Sequence, residues 1–385
     1  MKQKKGLLII SAVGFYLISV GISYLGFSFL ASKGKSRMIV SPLPLKLQRN
    51  QVDLGAPRSE SCPLRGDKFT RGEREIWEKR RPLGVMIENH LDSRPQSGLS
   101  KADVIYETVA EGGITRFLAI FFCQAAAEDV LLGPVRSART YYLDWISEYG
   151  DWPLYVHVGG ANLPGKVDAL GQIGTYGWLK KGNDLNQFSL GFPVFWRDYE
   201  RLGRPVATEH TMYSSTDRLW ETAEKRGLTQ IDGEGHSWEE DFSKWTFEEN
   251  LSQSGSVEEV TVPFWQNQDY FVTWRYDSQS RLYKRFQGAT PHLDLNTNQS
   301  LEAGVVVVQL TRETGPVDAL KHLLYQTTGE GKALIFQNGQ VIEGNWTKES
   351  RQDRTEFFEL EGKKIKFAPG QIWIEVVDSG TKIDY

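Results

Sequence analysis

Residues 6–31 carry no charged side chain. Leu, Ile, Val and Phe dominate the run, with Ser11, Ser19, Ser23 and Ser28 interspersed. About 20 such residues cross a bilayer as a helix, because a helix satisfies its own backbone where no water is at hand. The chain is therefore expected to be a tail and transmembrane anchor (1–37) followed by a large body. Lys2, Lys4 and Lys5 precede the run, and Lys33, Lys35 and Arg37 follow it, so flanking charge does not fix the orientation. A short tail inside and the bulk outside is the expected layout. A cleaved signal peptide is the alternative, but its apolar core is shorter, about 7–15 residues. Phe29 also fits poorly three residues before a cut after Ala31. No cysteine lies near the end of the run, which argues against lipidation.

Six of the 45 basic residues and none of the 49 acidic ones lie in 1–37, leaving 39 against 49, a net charge of −10. An acidic body stays soluble beside an anionic membrane and is no general nucleic-acid binder. With 385 residues and 40% hydrophobic content, two packed domains are expected. Two cysteines exclude a disulfide framework or a multi-cysteine metal site. Cys62 and Cys123 would pair only in an oxidising compartment, and the reading favours no bridge.

Pro42, Pro44, Pro57 and Pro63 interrupt a polar stretch, read as a tether over 38–80. An α/β domain is expected over 81–228. Residues 82–88, 102–107, 114–122 and 154–158 read as buried strands, and a helix is expected from Gly133-Pro134 through Glu148. Ser214 and Asp217 have capping-box spacing before a helix that should end at Gly227. Residues 229–259 read as a linker, partly ordered by Trp238 and Trp245. A second, β-rich domain is expected over 260–385. Within it, Asn338-Gly339 between two apolar stretches predicts a hairpin, since both turn positions accept positive φ. The fold class is α+β or α/β.

The first domain concentrates the reactive residue types. Glu88, Asn89 and His90 follow a strand, and Arg94 begins a polar loop. Glu107 and Glu111 bracket a short segment before Gly112-Gly113 and Arg116. Arg136, Ser137 and Arg139 open the expected helix, where side-chain and backbone donors suit a carboxylate or phosphate. The same arginines would serve equally well as structural partners of Glu88, Glu107 or Glu111. Glu107 and Glu111, four apart on a strand, would share a face and could work as paired carboxylates. His90, His157 and His210 show no His-x-His or His-Glu-x-x-His spacing, so no metal and no cofactor is expected. Ser137 with His157 or His210 lacks the Gly-x-Ser-x-Gly elbow of a nucleophile pair. Trp145, Trp152, Trp178 and Trp196 invite a sugar-stacking reading that depends on their exposure.

Taken in order, the blocks at 81–90, 94–99, 102–107, 111–116, 133–139 and 157–160, with Glu209-His210, resemble the YerB-like lipoprotein family. The stretches 331–340 and 369–374 resemble its second region. The resemblance covers roughly residues 60–378. It implies a two-domain bacterial envelope protein with N-terminal and C-terminal domains of unknown function (DUF), outside the cytoplasm, and no assigned reaction. This chain departs from lipoprotein relatives in replacing a lipidated cysteine with an apolar helix.

The expected function is a membrane-anchored envelope binding module. Its ligand, a cell-wall glycan or peptide, would sit in an anion pocket of Arg94, Arg116, Arg136 and Arg139. Glu88, Asn89, Glu107, Glu111, Ser137, His157 and His210 complete the candidate site. Two alternatives stand: a wall hydrolase using the paired glutamates, and a scaffold for an envelope protein partner. The balance leans against an enzyme.

Overall fold

The computed structural model describes residues 52–249, 251 and 255–385. The expected anchor at 6–31 lies outside the described residues. Among the described residues, no helix is long and apolar enough to cross a membrane. The described residues form one compact unit.

Its longer elements, in chain order, are β1 (Arg58–Ser61), β2 (Lys68–Thr70), α1 (Arg71–Trp77), β3 (Leu83–Glu88), β4 (Val104–Glu111), β5 (Ile114–Phe121), α2 (Thr140–Ile146), β6 (Leu154–His157), α3 (Ala169–Thr175), α4 (Trp178–Lys181), β7 (Asp184–Asn186), α5 (Gln187–Leu190) and α6 (Thr216–Lys225). Then follow β8 (Glu259–Pro263), β9 (Phe271–Asp277), β10 (Leu282–Gln287), β11 (Val305–Thr311), β12 (Gly329–Gln337), β13 (Gln340–Lys348), β14 (Glu356–Glu359) and β15 (Ile372–Asp378).

Ten of these strands form one mixed sheet in the order β14-β13-β12-β11-β15-β4-β5-β3-β6-β7. Residues 81–228 and 260–385 therefore share a sheet. The last strand, β15, runs parallel between β11 and β4, with Ile372 opposite Val104 and Glu375 opposite Glu107. Both faces are covered, which is why β3, β4 and β15 read as almost unbroken apolar runs. On one face lies α2, where Trp145 stacks on Tyr106 of β4 at 5.6 Å. On the other lies a smaller antiparallel sheet built on β8, β9 and β10, where Trp274 meets Trp373 edge-on at 5.1 Å.

The Asn338-Gly339 hairpin forms as expected. Gln337 pairs with Gln340, and both turn residues take positive φ, 52° and 71°. Four other expectations are corrected. Residues 58–77 of the supposed tether fold as β1, β2 and α1. They fold because Phe69 and Trp77 join the core and because Cys62 is bonded to Cys123, both sulfurs being buried. The expected helix from 133 begins only at Thr140, since the backbone of 133–138 is engaged elsewhere: Val135 N–H donates to Met212 O, Arg136 N–H to Met86 O, and Ala138 N–H to Gly159 O. The capping box is absent. Ser215 is the N-cap and makes no side-chain cap bond, while Asp129 from a distant loop accepts from Asp217 N–H at 2.9 Å. Finally, the supposed linker is anchored: Trp238 is buried against Phe122, and Trp245 Nε1 donates to Thr355 O. The helix end at Gly227 agrees with expectation, its φ being 73°.

Candidate functional site at the ends of the parallel strands

Strands β3, β6 and β7 run parallel and end at Glu88, His157 and Asn186. β6 pairs with β3 only from Leu83 to Val85. Beyond that point the two strands part, and residues 135–138 fill the gap, with Val135 bridged to Ile87 and Ala138 to Gly160. Crevices at the carboxyl ends of parallel strands are where such sheets hold ligands.

Glu88 is buried at this rim. Its Oε2 lies 2.8 Å from His210 Nδ1 and its Oε1 3.1 Å from Arg136 Nε. The bond to Glu88 raises the His210 pKa above 6.5, against burial and the nearby Arg136 charge. His90 stacks on His210, ring centroids 4.9 Å apart. Arg204 reaches the Asp92 carbonyl at 2.8 Å. Ser137 is half-buried, its carbonyl accepts from Arg116 Nη1, and its hydroxyl has no protein partner among the described residues.

The four arginines do not assemble the expected open pocket. Arg116 and Arg139 both bind Glu111, at 3.1 and 2.5 Å. Burial would raise the Glu111 pKa, but the two guanidiniums outweigh it and hold the carboxyl down to about 2. Arg94 turns instead to Asn89 Oδ1, the Asn89 carbonyl and the Asp269 carbonyl, over the Tyr270 ring. Burial pulls its pKa down to about 10. Only Arg136, with 28% of its side chain exposed, faces the rim while bonded to Glu88.

Glu107 and Glu111 do not share a face. The register of β4 against β5 shifts between Val109 and Glu111. A bulge of this kind breaks the period of two and re-aims the side chain beyond it. Glu111 accordingly joins Arg116 and Arg139, whereas Glu107 points to the small sheet. There its Oε1 accepts from Thr115 Oγ1 at 2.6 Å and Asn89 Nδ2 at 3.1 Å, and its Oε2 accepts from Arg285 Nη2 at 2.7 Å.

That buried network contains residues the sequence reading missed. Arg285 also donates from Nη1 to Glu375 Oε1 and from Nε to His292 Nδ1. His292 then donates from Nε2 to Gln96 Oε1. Burial, with the Arg285 charge, pushes the His292 pKa well below 6.5, so the ring is neutral. The available signal was Arg285 in the buried phase of Tyr283-x-Arg285-x-Gln287, and Glu375 inside an apolar run. This network ties β3, β4, β10 and β15 together and offers no entry for a substrate.

His157 is likewise interior. Its Nε2 lies 2.7 Å from Asp184 Oδ1 and its Nδ1 2.6 Å from Gly159 O, so it latches β6 to β7. For a cation, His90, Asp92 and His210 bring ligand atoms within 4.8 Å of one another. However, His90 Nδ1 accepts from Asp92 N–H, His210 Nδ1 is held by Glu88, and Arg204 lies at Asp92. These partners suit an anion at the rim better than a metal. The tryptophans are not open platforms: Trp145 and Trp178 are buried, Lys181 covers Trp152, and Arg218 covers Trp196.

Residues 70–229 match the model of the DUF3048 N-terminal domain, and residues 260–374 match that of the DUF3048 C-terminal domain, both described as a protein of unknown function. A curated relative from Bacillus subtilis (strain 168), named "Putative lipoprotein YerB", is 29% identical over 321 residues, spanning 82% of this chain and 86% of its own length. The crystal structure of YerB from Bacillus subtilis superposes with a TM-score of 0.67 at 28% identity, covering 85% of this chain and 100% of that one. The two family matches together span well over half of the sequence, and the chain therefore belongs to the two-domain DUF3048 family, of which YerB is a relative.

Proposed function

We propose that this is a bacterial envelope protein, anchored by the helix read at 6–31, with its body outside the cytoplasm, that binds cell-wall glycan or peptide at the rim of β3, β6 and β7. Three facts support the location. The N-terminal run is long and uncharged, the relative is named as a lipoprotein, and Cys62–Cys123 is a disulfide, a bond that persists in oxidising compartments. The observation that carries the binding reading is Glu88, buried at the strand end and holding both His210 and Arg136 at the rim. The Arg136 guanidinium and the His210 imidazole, whose charged form the Glu88 bond favours, suit a carboxylate or phosphate together with the Ser137 hydroxyl.

The hydrolase reading has less support. Glu111 stays ionised far below neutral pH, so it is no general acid, and Glu107 is fully buried among its donors. The test is sedimentation of the full-length protein in detergent with isolated cell walls. Wild type should pellet without releasing fragments, and Arg136→Ala with His210→Ala should reduce the pelleted fraction about tenfold. Protein remaining in the supernatant would reject the reading. Release of defined fragments would restore the hydrolase.

A further inference from the structure

We infer that a second site, for a sugar ring bearing an anionic substituent, lies beyond the edge strand β7. This rests on the wall-binding reading and names a ligand class for it. A cavity of about 660 Å3 opens there, lined in part by Leu179 and Lys180 of α4, Asn186 of β7, Phe188 and Ser189 of α5, and Arg226.

Phe188 is 77% exposed and Leu179 is 62% exposed. Leaving a phenyl ring in water forgoes the gain of burying it. Its backbone is anchored, and its ring lies beside Gly159. Asn186 Oδ1 accepts from Phe188 N–H at 3.2 Å and from Gly159 N–H at 3.1 Å. Gly159 takes φ 57°, and a Cβ there would meet the Phe188 ring at 2.9 Å, so glycine lets the ring lie against the end of β6. An open aromatic face of this kind matches the apolar C–H face of a pyranose. Unlike Trp152 and Trp196, it has no cation lying over it among the described residues.

The charges define the substituent. Lys180 is exposed and has no ion pair among the described residues, whereas Lys181 is bound to Asp232 and Glu234. Arg226 donates from Nη1 to Gly182 O and Asp184 O, and its other nitrogens make no hydrogen bond among the described residues. The acid lining the cavity, Asp184, is bound to His157. Lys180 and Arg226 thus line the same cavity as an exposed aromatic ring, on a body whose net charge is negative. A neutral glycan would leave them unused, and a bare anion would leave the ring unused. Through Asn186 and Gly159 the cavity adjoins the rim at the same strand ends, so a repeating glycan would reach both.

The test is calorimetric titration of the full-length protein with three probes: a muramic-acid-containing tetrasaccharide, the neutral N-acetylglucosamine tetrasaccharide, and poly(glycerol phosphate). The muramyl probe should bind at least fivefold more tightly than the neutral one. Phe188→Ala should weaken it about tenfold, Lys180→Glu by a similar factor, and Phe188→Tyr should retain it. Equal binding of both tetrasaccharides would overturn the anionic requirement. Tight binding of poly(glycerol phosphate) that Phe188→Ala leaves unchanged would overturn the ring requirement. No binding by any probe would overturn the site. If walls still pellet wild type while Phe188→Ala changes nothing, this site fails and the rim reading stands; if wild type does not pellet, the rim reading fails.

Discussion

Glu107 and Glu375 stand opposite one another on adjacent parallel strands, and a single guanidinium, that of Arg285, bonds to both, at 2.7 and 2.9 Å. All three side chains are fully buried. Burial, and after it the Glu107 charge, raises the Glu375 pKa well above its ordinary value, which favours the neutral carboxyl and eases the demand on Arg285.

Replacing Arg285 by Met should therefore cost about 3–5 kcal/mol, because it leaves the buried Glu107 carboxylate without its counter-charge. Glu375→Gln keeps shape and neutrality and should cost less than about 1 kcal/mol. Urea unfolding of both variants tests the contrast. Equal losses would mean that charge pairing is not what the network supplies.

Glu111 governs part of the acid limb. Its folded pKa, about 2, lies below the ordinary 4.5. The stability it contributes is present above 4.5 and lost as pH falls toward 2. Glu111→Gln should flatten the stability profile between those values and leave Arg116 and Arg139 without their carboxylate. Thermal unfolding from pH 2 to 6 reads this directly.

The disulfide closes a separation of 61 residues. Chain-entropy arithmetic puts such a cross-link at about 4 kcal/mol, with measured native bridges spanning about 2–5. Cys62→Ala with Cys123→Ala should lose stability in that range. The ends of 58–77 should become sensitive to limited proteolysis before the central sheet does, since that segment loses this bond and is left with the packing of Leu64, Phe69 and Trp77 and a few backbone contacts.

His210 should titrate above 6.5, because the Glu88 bond favours its charged form. The contribution of the Glu88–His210 pair to stability is fully present below 6.5 and fades as pH rises through the raised value. Wall binding should weaken over the same window. Histidine NMR titration locates the pKa, and Glu88→Gln should lower it; an unchanged titration would show that Glu88 does not set it.

Several elements were legible in the chain. Apolar runs gave β3, β4, β5 and β6, and Asn338-Gly339 gave its hairpin, because each depends on residues within a few positions of one another. The start of α2 was not legible, since the backbone at 133–138 is engaged by β3, β6 and Met212. The N-terminal end of α6 was misplaced for a similar reason, its acceptor Asp129 being 88 residues away. Of the candidate site, the residue types were legible but not their partners. Glu111 differs from Glu107 because one bulge turns it to the other face, and no local pattern announces that shift.

The sequence by itself determined the strand-rich core and the uncharged N-terminal run. These follow from hydrophobic periodicity, turn chemistry and composition, which are local. Only the tertiary structure decided that one sheet joins both halves, that Cys62 meets Cys123, and that Arg94, Arg116 and Arg139 are engaged internally while Arg136 and His210 remain at a rim. Those outcomes depend on which distant groups must neutralise one another once water is excluded, and that is settled when the layers pack.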